Sequence, residues 1–342
     1  MSDTRLPLHQ PMAATFRGGH PENIHFGSLA LVNASGQLLA QVGDVDTPIF
    51  TRSALKPFQA MPLVARWADR FGLNDADVAL LCASHSGEAV HTERAADLLA
   101  RIGAGERDLA CGCHVPFFYA ATGQTPPADG RYTRLHHNCS GKHTGMLLMA
   151  NGLGAPLAGY LNVEHPVQQA IADSVSHFAG IPRAQLILGM DGCSAPNYAL
   201  PLRNLAWAAA RLTRPDALYG ETPVRIARAM SLHPELVSGQ GRNDLILMQA
   251  GQGDWVSKVG ADGVQILASF SRQMAIAAKC SDGQLTPLMV ALVSALDQLG
   301  WITDGQRQAL SALLPAPMRN AAGLEVGEMR AVLRLKTDTQ AR

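Results

Sequence analysis

The sequence carries no surplus of either charge: 28 Lys and Arg stand against 28 Asp and Glu. Proteins that bind nucleic acid or a membrane surface electrostatically carry a basic excess, so neither partner is expected. No apolar run approaches the roughly 20 residues of a membrane span. The opening stretch, MSDTRLPLHQPMAATFRGG, lacks the apolar core of a signal peptide, so a cytoplasmic location is the default expectation. Among the six cysteines (Cys82, Cys111, Cys113, Cys139, Cys193 and Cys280) no C-x-x-C pair occurs, which excludes zinc-finger spacing. In a reducing compartment thiols or metal ligands are expected rather than disulfides. Internal repeats and long linkers are absent too. With 47% hydrophobic and 16% charged residues, the 342-residue chain is expected to fold compactly, as a single domain.

Strand patterns gather at the two ends and helical patterns between them. Residues 27–43 read as a β-hairpin turning at Gly36. Helices are expected over 53–72, 75–82, 91–102, 165–179, 202–212, 222–232, 287–299 and 305–314, and another follows the HHNCSGKHTG run. Strands are expected over 245–250, 255–260, 264–270 and 328–335, with loops at 111–130 and 189–198 and a polar tail at the end. The pattern predicts an α+β fold of one catalytic domain. Its antiparallel sheet draws on about 14–50 and 244–335, and a helical lobe spans about 53–240.

One stretch, RSALKPFQ, organises the chemistry. Ser53 and Lys56 are one helical turn apart, so a lysine amine can reach a serine hydroxyl and act as its base. The partial positive charge of a helix start favours an alkoxide and disfavours a second cation. Pro57 cannot donate a backbone hydrogen bond to the carbonyl of Ser53, so a distorted first turn is expected. Alone, the spacing is equally that of a solvated helical pair. Two further motifs follow in order: Ser84-His85-Ser86 between helices, and Lys258-Val259-Gly260 on a strand. Serine hydrolases of the β-lactamase and penicillin-binding type carry S-x-x-K, a serine-centred motif and K-x-G in that order. In this reading Ser53 attacks, Lys56 takes its proton, and Ser84 with Lys258 passes a proton to the leaving amine. By analogy, the amides of Ser53 and Ala261 form the oxyanion hole. The competing structural roles are a helix cap for Ser84 and a solvated strand position for Lys258.

A second cluster, His136, His137, Cys139, Lys142 and His143, lies upstream of a loop carrying Asp191 and Cys193. Thiolates and nitrogen donors suit Zn²⁺, yet small buried thiols are equally ordinary, and spacing alone favours the latter. Cys111, Cys113 and His114 form a weaker candidate of the same kind.

Taken together, RSALKPFQA, SHSGE, NCSGKHTGML, GMDGCSAP and SGQGRND resemble the rhizobial-type L-asparaginases, the asparaginase II family of serine–lysine amidohydrolases, from Arg17 to Lys279. The resemblance implies a β-lactamase-like fold, a homodimer, and hydrolysis of L-asparagine to L-aspartate and ammonia. It implies serine–lysine tandems at Ser53 with Lys56 and at Ser84 with Lys258, and zinc on Cys139, Lys142 and Cys193. It also implies a pocket lined by Arg52, His143 and Asp191, with Asp191 suited to a substrate α-ammonium. The alternatives are a glutaminase or another serine amidase of this fold, and a zinc-binding regulatory protein without catalysis. No T-G-G-T-type motif opens the chain, so the threonine-dependent asparaginases fit poorly.

Overall fold

The computed structural model describes residues 6–337; the polar tail expected at the end lies largely outside them. The chain opens with strands β1 (Gln10–Arg17), β2 (His20–Asn33), β3 (Leu38–Val42) and β4 (Pro48–Phe50). Helices α1 (Lys56–Trp67), α2 (Asp75–Leu81), α3 (Ala89–Ala100), α4 (Phe117–Thr122), α5 (Ser140–Leu153) and α6 (Pro166–Ala179) follow. A hairpin of β5 (Ile187–Met190) and β6 (Pro196–Pro201) interrupts them before α7 (Leu202–Arg211), α8 (Thr222–Leu232), α9 (Pro234–Val237) and α10 (Asn243–Ala250). The remainder is β7 (Trp255–Gly260), β8 (Val264–Ser269), β9 (Met274–Cys280), α11 (Leu285–Gln298), α12 (Asp304–Leu310), β10 (Met318–Arg319), β11 (Glu325–Ala331) and β12 (Lys336–Thr337).

The fold is α+β. Strands from both ends of the chain interleave in one antiparallel sheet, order β10-β11-β1-β2-β9-β8-β7, with β3 and β12 paired off the second half of β2. The two-residue period of a strand sorts its side chains onto two cores. Ala30, Val32, Ile266, Ala268, Ala275 and Ala277 face the helical region. Their neighbours Leu29, Leu31, Leu267, Ile276 and Ala278 face the opposite way, against Leu288, Leu292 and Leu296 of α11. The sheet is therefore covered on both faces, and its short edge strand β7 is packed against α10 and the 3₁₀ turn Arg52–Leu55. No helix among the described residues is long and apolar enough to cross a membrane.

Several expectations are corrected. Residues 245–250 fall in helix α10, not a strand; a six-residue run, apolar except for Gln249, is too short for its period to decide, and here Leu247 and Ala250, three apart, share the buried side. Residues 189–198 are not a loop but most of the β5–β6 hairpin, which forms a second, three-stranded sheet with β4. The 111–130 loop contains α4. Strands β1 and β9 were not expected, and the last long strand runs earlier, over Glu325–Ala331. Each of these strands has, besides any hairpin neighbour, a partner distant in sequence (β1 with β11, β9 with β2), which local pattern does not report.

Glycine lets two elements that carry the site approach closely. On α5, a Cβ at Gly141 would meet the Leu80 carbonyl oxygen at 2.2 Å, and one at Gly145 the Leu81 side chain at 3.2 Å. Helix α5 therefore lies on the end of α2, next to the loop that carries Ser84. Gly141→Ala is expected to cost about 1–3 kcal/mol through overpacking. Gly105→Ala, where a Cβ meets nothing within 4 Å, should stay within about 0.5 kcal/mol of the parent. Chemical denaturation of the two variants checks this.

Candidate active site

The first wall is the turn around Ser53. Pro57 falls in the first turn of α1, where no donor is needed, and the preceding residues tighten into a 3₁₀ turn. Arg52 adopts φ +52°, a left-handed conformation that costs a non-glycine residue of order 1–3 kcal/mol. Asn197 on β6 holds it there: its Oδ1 accepts from the Arg52 N–H at 3.3 Å and its Nδ2 donates to the Arg52 carbonyl at 3.2 Å. Thr51 is tied to the same hairpin by its hydroxyl, 2.8 Å from the Tyr198 carbonyl. The Arg52 guanidinium points back along the wall, with Nε 2.9 Å from Asp191 Oδ1 and a second contact to Asp262.

Strand β7 closes against this turn. A Cβ on Gly260 would meet the Thr51 carbonyl oxygen at 2.6 Å, so the glycine of K-x-G is needed for the strand to come this near. Ala261 follows at once. Among the described residues, neither the Ser53 nor the Ala261 amide has a hydrogen-bond partner in the protein. Lys279 Nζ donates to the Asp262 carbonyl and fixes that turn from behind.

Behind Ser53 two lysines, each 0% exposed, meet at one hydroxyl. Ser84 Oγ lies 2.9 Å from Lys56 Nζ and 2.9 Å from Lys258 Nζ. Lys56 also donates to the Ala83 carbonyl at 2.5 Å, and Lys258 to its neighbour Val259 at 2.8 Å. Burial pulls Lys258 down to about 7; Lys56 and Arg242 act in the same direction and Asp244, 3.6 Å away, opposes them. Lys56 thus hydrogen-bonds Ser84, not Ser53 as the spacing suggested. Ser53 is 8% exposed, against 3% for Ser84. The two structural roles weighed above do not hold. Ser84 caps no helix, since α3 has Glu88 at its cap position and no side-chain cap bond, and Lys258 is not solvated.

The thiol cluster is equally buried. Lys142 Nζ lies 2.9 Å from Cys193 Sγ. The nearby Cys193 thiol holds the Cys139 thiol well below its ordinary value against the opposing effect of burial, and Cys139 in turn pushes Cys193 up. Burial works against the charge on Lys142, but Cys193, Cys139 and Asp191 outweigh it and hold its pKa above the ordinary lysine range. Two sulfurs and a nitrogen converging in a dry site fit a borderline-soft ion such as zinc. Among the described residues no trio of His, Cys, Asp or Glu converges in metal-holding geometry; here the third donor is a lysine.

His143 is fully buried one turn along α5 from Cys139. Tyr160 Oη accepts from the Ala110 N–H at 2.8 Å and shares a hydrogen bond with His143 Nδ1 at 2.6 Å. His143 Nε2 has no partner among the described residues. The weaker candidate does not assemble: Cys113 is exposed, and both His114 nitrogens are spent on Val115 and Asn138. Sequence reasoning missed Asn197 and Asp244. Asn197 falls in the expected 189–198 loop just after GMDGCSAP, and Asp244 closes the SGQGRND run ahead of an expected strand, where neither residue type signals a role. A cavity of about 400 Å³ is lined by Phe117, Arg242, Asp244, Val259 and Met289 among others; Ser53, Ser84 and Lys258 do not line it.

The profile of the family described as L-asparaginase II matches residues 13–331. No curated protein matches the chain. Among solved structures, Mglu in its native form is 14% identical, with a TM-score of 0.45, over 81% of this chain and 64% of that one. Mglu in its glutamate form is 15% identical, TM-score 0.45, over 80% and 61%. A β-lactamase from Mycobacterium bovis is 11% identical, TM-score 0.30, over 80% and 94%. The chain thus spans less than two thirds of the length of Mglu, and likenesses this loose carry no argument about function.

Asn197→Ala removes both bonds that hold the Arg52 peptide and leaves its strain unopposed. A loss of about 1–3 kcal/mol is expected in urea denaturation. Arg52→Gly in the Asn197→Ala background should recover part of it, because glycine takes the left-handed conformation freely.

Proposed function

We propose, since the chain belongs to the L-asparaginase II family, that it hydrolyses the side-chain amide of L-asparagine to L-aspartate and ammonia through an acyl-serine intermediate. Membership makes it an enzyme of the amidohydrolase type. The observation that carries the finer reading is the buried chain of Lys56, Ser84 and Lys258, whose Lys56 follows Ser53 by one turn.

Ser53 is the attacking group in this reading. It has no side-chain hydrogen bond among the described residues, while Ser84 has both its amine neighbours within hydrogen-bond distance and suits a relay. Ser53 Oγ adds to the amide carbon as Lys56 takes its proton. The charge that develops on the carbonyl oxygen meets the unpartnered amides of Ser53 and Ala261. Ser84 donates to the leaving nitrogen and is resupplied by Lys258, so ammonia departs. Water then cleaves the aspartyl ester: its proton returns through Ser84 to Lys258, and Lys56 gives its proton back to Ser53. The ion pair of Arg52 with Asp191 offers opposite charges for the carboxylate and ammonium of an amino acid.

Cys139, Cys193 and Lys142, the last as a free amine, would hold zinc. Bound there, the ion would supply Lewis acidity and fix the start of α5 to the Asp191 loop. We further propose a cytoplasmic homodimer, in keeping with the family resemblance.

Ammonia release from L-asparagine is expected, with Ser53→Ala lowering kcat by about 10³-fold or more. An acyl group trapped from substrate should map to Ser53; label on Ser84 would reverse the two roles. L-Glutamine differs by one methylene, which a fitted pocket discriminates by about 1–3 kcal/mol, and equal turnover of both amides would favour the glutaminase reading. Elemental analysis of protein made with zinc present should find one ion per chain, lost in Cys139→Ser and Cys193→Ser. Zinc should also raise the melting temperature of the parent and leave that of the variants unmoved.

A further inference from the structure

We propose that Asp244 is a positioning residue that sets the direction of the proton chain, holding the extra proton on Lys258 so that Lys56 rests as the free amine. The inference rests on the serine–lysine reading above.

Two amines share one hydroxyl at equal distances, 2.9 Å each, and nothing about Ser84 itself makes one end richer in protons. Two ammonium groups on one buried oxygen repel, so one end must yield. The surroundings break the symmetry. Asp244 is 0% exposed and stands beside the outer edge of β7, on the Lys258 side. Its Oδ1 accepts from the Ser257 hydroxyl at 2.8 Å and from Gln265 Nε2 at 2.9 Å. Its Oδ2 accepts from the Val259 N–H at 2.9 Å and lies 3.6 Å from Lys258 Nζ. Both oxygens therefore face donors, as suits a carboxylate. Around Lys258 the charged and titratable groups are Lys56 on α1, Cys82 at the end of α2, Cys139 at the start of α5, and Arg242 with Asp244 at the start of α10. Asp244 is the only carboxylate of that set, and among the described residues no carboxylate pairs with Lys56.

The consequence is a resting state with one polarity. Lys258 carries the proton and donates to Ser84, Lys56 donates its own N–H bonds to Ser84 and the Ala83 carbonyl, and the one lone pair of Lys56 is left for the proton of Ser53. When the Ser53 O–H bond breaks, a new N–H bond forms on Lys56. One Lys258 N–H bond breaks as the leaving nitrogen gains its hydrogen from Ser84. Charge has moved from one lysine to the other with none gained or lost, and deacylation returns it.

The test uses the full-length protein with ε-¹³C-labelled lysine. The chain has five lysines, so the Lys258 signal is assigned by its loss in Lys258→Met. In Asp244→Asn the titration midpoint of Lys258 should fall by about one pH unit or more. The alkaline limb of kcat/KM on asparagine should move to lower pH by the same amount, because Lys258 must be protonated to resupply Ser84. KM should change less than about twofold, and kcat should carry the loss. Asp244→Glu, which restores the charge, should return the midpoint towards the parent. Ser257→Ala removes a hydrogen bond to Asp244 but no charge, and should leave both midpoint and limb in place. An unmoved midpoint in Asp244→Asn, or an equal shift in Ser257→Ala, overturns the proposal. If Asp244→Asn does not fold, the parent decides: a Lys258 signal already neutral at pH 6 overturns it, and a charged one upholds it. Absence of ammonia release by the parent would remove the asparaginase reading, while the midpoint would still report on Asp244.

Discussion

Burying an amine is the constraint around which this protein is built. An ammonium group loses its hydration on leaving water, and only hydrogen bonds, an opposite charge or a lost proton offset that cost. Three of the five lysines are nevertheless buried, and all three lie in one region. Lys56 and Lys258 meet at Ser84, and Lys142 meets Cys193. The remedies differ. Lys142 sits among thiols and Asp191 that favour its charge. Lys258 has one carboxylate within 4 Å, which favours its charge against the pull of burial. Lys56 has only a carbonyl and a hydroxyl. A gradient of charge stabilisation thus runs through the site, and a proton relay needs one.

The rest of the fold brings these groups together and holds them. Ser84 follows α2, Lys56 opens α1 and Lys258 lies on the edge strand of the sheet, so the meeting point joins both layers of the structure. Close approach depends on missing side chains: Gly141 where α5 passes α2, and Gly260 where β7 passes Thr51. The small β4–β6–β5 sheet works as a clamp. Through Asn197 and Tyr198 it holds Thr51 and the strained Arg52, and its hairpin turn presents Asp191 and Cys193 to the same space. A change in that hairpin would therefore reach the Ser53 turn and the thiol cluster together.

Much was legible in the sequence. The α+β class followed from helical periodicity between two strand-rich ends. Ser53, Lys56, Ser84, Lys258, Cys139, Lys142 and Cys193 could be named because short motifs keep reactive groups at fixed spacing on one element. Other features were not legible. Residues 245–250 read as a strand because so short a run, apolar except for Gln249, fits either period, and only packing against β7 and α12 makes them a helix. Strands β1, β6 and β9 each have one partner far along the chain, β11, β4 and β2. Asn197 has a role only because Arg52 comes to lie beside it.

The sequence by itself determined which chemical groups are available and in what local order: a serine one turn ahead of a lysine, a glycine two residues after another, two cysteines and a lysine. Those relations are covalent and short-range, and no packing alters them. Tertiary structure decided which group touches which. Lys56 reaches Ser84 in preference to its near neighbour Ser53, and Asp244 stands beside Lys258 and not beside Lys56. Proton affinity depends on burial and on charges within a few ångströms, and both are set by contacts between residues distant in the chain.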